Sequence, residues 1–319
     1  MHRSLRIAIS VIAIILSFRD QSLLAEDWAK RFRMEYPDAA VRVSNFYHNL
    51  TLSEDEVSGK QELFTEYKSL NNSMAVNVTI KGQSEGSNRV YVYRPDLFFI
   101  GHRNSLSQAL VLESIRRPPS LDNLDTIRIR TRLPFAAYSW LNSTVLETIQ
   151  RSTFQTDDVL ERVEEDDEFL IEVFWRCTFG DENGPGLKRQ GSFLFDPASN
   201  WVLREYAVGL EGKSSRMRAS IKYDGSHDGI PLVSEANYWT DRDGKRSQDV
   251  KVRRLQLDLE PPPKEVFELS YYGVPDRVLA ADRTWSWRVR LLVIANVLSV
   301  IAVGIYVIRK LSFHCFNTK

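Results

Sequence analysis

The sequence predicts an α+β protein that is mainly β. One large, curved antiparallel sheet forms an incomplete barrel with covering helices, and a C-terminal transmembrane helix follows. Three observations carry that expectation. Short segments alternate apolar and polar residues one after another, as half-buried strands do. The connectors are rich in Gly, Asn and Asp, including "DENGPG", "DGSHDG" and "DRDGK", and such turns close antiparallel hairpins. Near the end, Leu291–Ile308 is an uncharged run, apolar apart from Asn296 and Ser299. As a helix it reaches about 27 Å, near the thickness of a bilayer's hydrocarbon core.

The chain opens with "MHRSLRIAISVIAIILSFRDQSLLAED". His2, Arg3 and Arg6 precede the apolar stretch Ile7–Phe18, which is too short to span a bilayer. This pattern predicts a signal peptide over 1–25 with a cut near Ala25, or else an uncleaved anchor. "EDWAKRFRMEY" then reads as a short helix, because Trp28, Phe32 and Tyr36 fall on one face. Strands follow. "SMAVNVTIKG" alternates cleanly, "NRVYVYRPDLFFIGHR" is a pair broken at Pro95, and "EFLIEVFWRCTF" is one long strand. On that strand Phe169, Ile171, Val173, Trp175 and Cys177 share a face opposite Glu172 and Arg176.

"FLFDPASNWVLREY" reads as two strands around a short turn, with Pro197 presetting φ and Asp196 placed to bond the turn backbone. "SRMRASIKYDG", "IPLVSEANYWTD" and "QDVKVRRLQLDLE" continue the meander. One segment departs from it: Pro134 and the helical spacing of Leu141, Val145 and Ile149 predict one or two helices over 134–151. The prolines of "PPPKEVF" make a stiff extended close to the body. The resulting domain plan is a signal peptide at 1–25, an exported half-barrel at 26–283, a linker at 284–290, the membrane helix at 291–308 and a cytoplasmic tail at 309–319.

Composition limits the function. Lys plus Arg and Asp plus Glu both number 42, so the basic excess of a nucleic-acid binder is missing. With 43% apolar residues the chain can fill a core. Cys177 and Cys315 are predicted to lie on opposite sides of the bilayer, so they do not pair, and Cys177 reads as a small buried hydrophobe.

"GQSEG" matches the nucleophile-elbow pattern around Ser84, but that elbow joins a strand to a helix. Here strand-like sequence lies on both sides, so a plain turn accounts for it and no catalytic residue is assigned. His48, His102 and His227 have no ligand-spaced partners, "DRDG" is a fragment of a calcium loop, and "EEDD" at Glu164–Asp167 reads as a solvated turn. No metal or cofactor is implied. Asn49, Asn71, Asn77 and Asn142 begin glycosylation acceptor patterns, which matter only in a eukaryotic secretory pathway.

The N-terminal helix, the meander with "YRPDLF", the mid-chain helical plug and "GSFLFDPASNWVLREY" together resemble the lipoprotein-carrier half-barrels of bacterial envelopes, the LolA/LolB-like fold. That resemblance covers most of 26–275 and implies a curved sheet with a concave face. The carriers are soluble or lipid-anchored, and this chain departs from them at Leu291–Ile308, so shuttling between membranes is not implied.

Two readings follow. In the first, the protein is a membrane-anchored, non-enzymatic envelope module with a filled barrel, acting through protein interaction or structure. In the second it is a tethered binder of an acyl chain or lipoprotein-like apolar ligand, with Phe169, Ile171, Val173, Trp175, Phe193 and Phe195 as groove lining. An esterase using Ser84 is a remote third. Partners are then the bilayer through Leu291–Ile308 and a lipid or an envelope protein, with no nucleic acid. The expected location is the bacterial cytoplasmic membrane, in a single pass, with the body outside the cytoplasm. Protease added to intact spheroplasts is therefore expected to digest the body and spare the tail; full protection of the body would refute this topology.

Overall fold

In this computed structural model the described residues are 27–59, 61–81, 88–103, 110–140, 143–163, 168–180 and 186–275. The expected signal peptide, linker, membrane helix and tail lie outside them, as do Ser84 and Glu164–Asp167. Among the described residues no helix is long and apolar enough to cross a membrane. They divide into two units, one through Phe267 and one from Glu268.

The first unit is built on a 13-stranded antiparallel sheet made from two meanders. Strands β1 (Thr51–Ser58), β2 (Gln61–Leu70), β3 (Ser73–Ile80), β4 (Asn88–Arg94), β5 (Leu97–Arg103) and β6 (Val111–Arg116) run outward along one arm. The chain then crosses to the opposite edge. It returns through β9 (Gln155–Val163), β10 (Phe169–Phe179), β11 (Leu187–Asp196), β12 (Val202–Leu210), β13 (Arg216–His227), β14 (Ile230–Arg242) and β15 (Lys245–Asp258). The final strand β15 pairs with β1, in register from Thr51–Asp258 to Ser58–Val250 with one bulge after Ser53. The first and last strands therefore sit side by side mid-sheet, and β6 and β9 are its two edges. The sheet is not a closed barrel.

A helix, α1 (27–47), covers part of one face. It runs past Pro37, well beyond the "EDWAKRFRMEY" expected from sequence. Pro37 removes one helical donor, yet Phe32, Tyr36, Ala39, Ala40, Val43 and Tyr47 form a continuous buried stripe. Burial of that stripe outweighs the local cost of proline. The end of α1 is fixed by the Tyr47 hydroxyl, which donates to Pro231 O (3.0 Å) and accepts from Val233 N (2.9 Å) on β14.

The connection from edge to edge is the second cover. It comprises α2 (Leu121–Arg130), α3 (Leu133–Ala136), a tiny hairpin of β7 (Ser139–Trp140) and β8 (Ser143–Thr144), and α4 (Val145–Ile149). The sequence predicts helix over 134–151, and the structure places two short helices there with a hairpin between them. It adds α2, whose start Ser120 is capped by Asn123 Oδ1 accepting from Ser120 N (2.8 Å). A Thr144–Glu147 capping box starts α4, with bonds of 2.9 and 2.7 Å.

The connection is pinned to the middle of the sheet by Glu54 on β1. Its two carboxylate oxygens accept from Arg132 N and Leu133 N, both at 3.0 Å, at the start of α3. Beside it Arg132 Nε donates to Glu56 Oε2 at 3.0 Å. On the other arm Leu203 N donates to Ala137 O at 2.9 Å.

On the opposite face, Glu235 of β14 draws in Lys222, Lys251 and Arg253 of the neighbouring strands at 3.3, 3.0 and 3.1 Å. Burial would raise this carboxyl, but the hydrogen bonds from Lys251, Asn237, Arg253 and Lys222 outweigh it and hold it at about 2. The same face of β3 and β4 is covered by the short 3₁₀ turn Lys264–Phe267 after the predicted proline run, where Val266 and Phe267 are buried.

The second unit is described only over 268–275. Leu269–Tyr272 forms a 3₁₀ turn closed by Gly273 at φ +74°, and Val274 N donates to Leu269 O at 3.1 Å.

Burial pushes Glu54 up to about 7, against the pull of its two backbone donors. An acid raised on folding contributes stability below its unfolded value and loses it as pH climbs to the folded value. His48, taken down to about 4 by burial and by Arg128, works the other way and weakens the fold as pH falls below about 6.5. The two slopes oppose each other, so the comparison is between variants. The stability advantage of the native protein over Glu54→Gln is expected to be largest below about pH 4.5 and to be lost as pH rises through about 7, measured by urea midpoints. Glu54→Ala, which strands two buried N–H groups, is expected to cost about 2–5 kcal/mol.

Candidate functional site

The two covers leave the concave face in two states. In the filled part, all six residues expected to line a groove come together. Trp175 stacks on Phe193 at 4.9 Å between ring centres, and Phe193 and Phe195 are 6.0 Å apart. Phe195 meets Phe32 and Tyr36 of α1 at 5.3 and 5.0 Å. Trp140, from the crossing connection, meets Trp175 and Phe193 at 5.5 and 6.2 Å. Ile171, Val173, Trp175, Phe193 and Phe195 are all within 1% of full burial, while Phe169 is half-buried against Trp28 at 5.3 Å. Cys177 is a buried free thiol in the same core.

Asp196 has the turn role its sequence suggests. Its Oδ1 accepts from Ser199 N (3.1 Å), and its Oδ2 pairs with Arg204 (2.9 Å). His48 is half-buried with Nε2 3.3 Å from the Tyr138 hydroxyl, and His227 sits in its turn 3.6 Å from Asp228. Among the described residues no group of three or more His, Cys, Asp or Glu side chains is placed to share a metal ion.

The open part lies at the rim where the start of β11, the turn after β12 and the end of β14 gather. A groove of about 500 Å³ runs over β11–β13 there. Its residues continue the inward alternation of the core: Arg189 pairs with Leu210, Gly191 with Val208, and Phe193 with Tyr206, and Val208 faces Met217 on β13. Val208 forms the buried floor, while Leu187 and Leu210 are 45% and 38% exposed at the mouth. Large aliphatic side chains on an inward-facing sheet surface are normally covered, and here nothing among the described residues covers them.

The polar part of the groove is basic. Arg189, Lys213 and Arg242 line it together with Ser214 and Ser215, and among the described residues no acidic side chain does. The Arg189 guanidinium lies 5.4 Å from the Trp140 ring centre and 5.3 Å from that of Phe179. Burial against these rings pulls it below the ordinary arginine value.

A second cleft of about 550 Å³ lies on β2–β6, floored by Leu63, Val78, Ile80 and Tyr91. Here Glu113 takes His102 at 2.9 Å and Arg89 at 3.6 Å, and the Arg130 guanidinium lies 5.6 Å from the Tyr91 ring centre. Between the two, a smaller cavity of about 190 Å³ sits against α2, α3 and Tyr238.

The sequence reading does not single out Leu187, Arg189, Leu210, Lys213 or Arg242. The signal was available for the first two, since the period-2 alternation that aligns Phe193 with Phe195 extends back through Gly191 to Arg189 and Leu187. Lys213 and Arg242 enter only through pairing across strands, which a linear pattern does not reveal.

No family model matches the chain, and no curated protein matches it. Among solved structures, a LolA superfamily protein from Nitrosomonas europaea is similar at 10% identity and a TM-score of 0.40, covering 75% of this chain and 99% of its own. The likeness is distant, and the functional reading rests on the groove.

The packing of Trp175 against Trp140, Phe154 and Phe193 makes it structural in this conformation. Trp175→Ala is expected to destabilise the protein by about 3–5 kcal/mol in urea unfolding. A probe of ligand binding therefore belongs at the rim, where substitutions leave the core intact.

Proposed function

We propose that this chain is a binding body that holds a linear apolar group, such as an acyl chain, in the rim groove of β11–β13. The observation that carries this is the pair Leu187 and Leu210, exposed beside buried Val208 at the end of the filled aromatic part of the concave face. The groove's volume falls within the range of small-ligand sites. Each methylene buried contributes roughly 0.8 kcal/mol, so a half-dozen supply roughly 5 kcal/mol before association costs. In this reading Leu291–Ile308 tethers the body to the bacterial cytoplasmic membrane, and the bilayer is the natural source of such chains.

The second reading is the interaction or structural module with a filled barrel. The aromatic packing of Trp140, Trp175, Phe193 and Phe195 favours it for the part of the concave face over β10 and β11.

The test uses the full chain in membranes with a long-chain alcohol that carries a diazirine in its chain. After irradiation, adducts are expected on peptides of β11–β13. Leu210→Glu places a charge at an already exposed position, so the fold is kept, and it is expected to cut those adducts roughly tenfold. Adducts that avoid β11–β13, or that Leu210→Glu leaves unchanged, would favour the interaction module.

A further inference from the structure

The charges of this protein are matched in number, and most of those near the concave face are matched in space as well. Arg132 meets Glu56 at 3.0 Å, Arg128 meets Asp125 at 3.5 Å and Glu147 at 3.4 Å, and Arg89 meets Glu113 at 3.6 Å. Arg204 pairs with Asp196 and Glu168 at 2.9 and 3.1 Å. Arg189, Lys213 and Arg242 break this pattern. They converge on one groove that no acid lines among the described residues, and among those residues none of the three is in an ion pair. Even Lys188, next in sequence to Arg189, has its acid, Glu211, at 3.7 Å.

Arg189 is the most constrained of the three. Its strand position turns it inward, the rings of Trp140 and Phe179 hold its guanidinium, and its Nε is buried without a hydrogen-bond partner among the described residues. A half-buried cation in that state is costly unless an anion reaches it. Leu187 and Leu210 stand beside it and offer a place for a chain.

We propose that the groove selects amphiphiles with an anionic head, a carboxylate or a phosphate, which Arg189, Lys213 and Arg242 bind while the tail lies on Leu187, Val208 and Leu210. This rests on the reading of the groove as an acyl-chain site. Arginine presents parallel donors that fit either oxyanion, and such charge-assisted bonds are stronger than neutral ones. The hydroxyls of Ser214 and Ser215 supply further donors at the same rim. A neutral amphiphile gains the tail contacts alone.

The photoreactive alcohol also reads this out. In membranes containing the full chain, its adducts on β11–β13 are challenged with unlabelled fatty acid, alkyl phosphate or fatty alcohol of equal chain length. The two anions are expected to displace it at roughly tenfold lower concentration than the alcohol. That preference is expected to shrink in Arg189→Gln and in Arg242→Gln, and as salt rises. Arg242 and Lys213 are exposed, so Arg242→Gln and Lys213→Gln keep the test valid if Arg189→Gln fails to fold. The stronger competitor of the two anions identifies the head group. Equal displacement by all three overturns the head-group inference and leaves the apolar site standing. If no probe labels the groove at all, the acyl-chain reading itself falls.

Discussion

The carboxylate of Glu54 is the joint on which the architecture turns. It projects from β1, the strand where the two meanders meet, and receives the two backbone donors that open α3. A sheet apolar on its inner face needs a cover. Here much of the cover is the chain's own passage from one edge to the other, and that passage touches the sheet's centre through Glu54. Without an acceptor at this point, two donors and a short helix start would be buried with no partner. The carboxyl's drift toward neutrality reflects the same tension. Burial disfavours its charge, while the backbone donors and Arg132 favour it.

Division of the concave face follows from where the two covers end. The stripe of α1 seals the aromatic region of Phe195 and Trp201, and Trp140 seals that of Trp175 and Phe193. Neither reaches the tips of β11–β13. The alternation of the strands does not stop where the cover stops, so Leu187 and Leu210 still point inward. The groove is thus a consequence of strands that outrun their helices.

Much of this was legible in the sequence, and the exceptions share one cause. Hairpins such as β4–β5 around Pro95 and β11–β12 around Pro197 announce themselves through alternation and turn residues. So does the common face of Phe193, Phe195, Trp175 and Ile171, because period 2 is local. The extension of α1 past Pro37 was not legible, since it depends on burial against partners far away in sequence. The pairing of β15 with β1 was likewise hidden, because nothing in either strand names the other. Whether the shared aromatic face is lining or core also depends on what lies above it, and Trp140 arrives there from a segment that reads simply as helical. The cations of the groove illustrate the same limit. Arg189 lies in phase with a visible pattern, but Lys213 and Arg242 join it only through the folded sheet.

Placing an exchangeable surface at the rim and a packed aromatic core behind it separates two demands that conflict in a single cavity. A ligand site at Trp175 and Phe195 would require large apolar surfaces to lie bare whenever the ligand is absent, at a cost proportional to their area. The rim exposes only parts of Leu187 and Leu210, and the basic side chains around them keep that patch solvated. The same geometry gives the cations their leverage. Beside the rings of Trp140 and Phe179, Arg189 is less screened than a surface arginine, so an anion arriving there gains more than it would in open water. An apolar floor and a weakly screened cation within one groove favour a single kind of molecule, one that carries a chain at one end and a negative charge at the other.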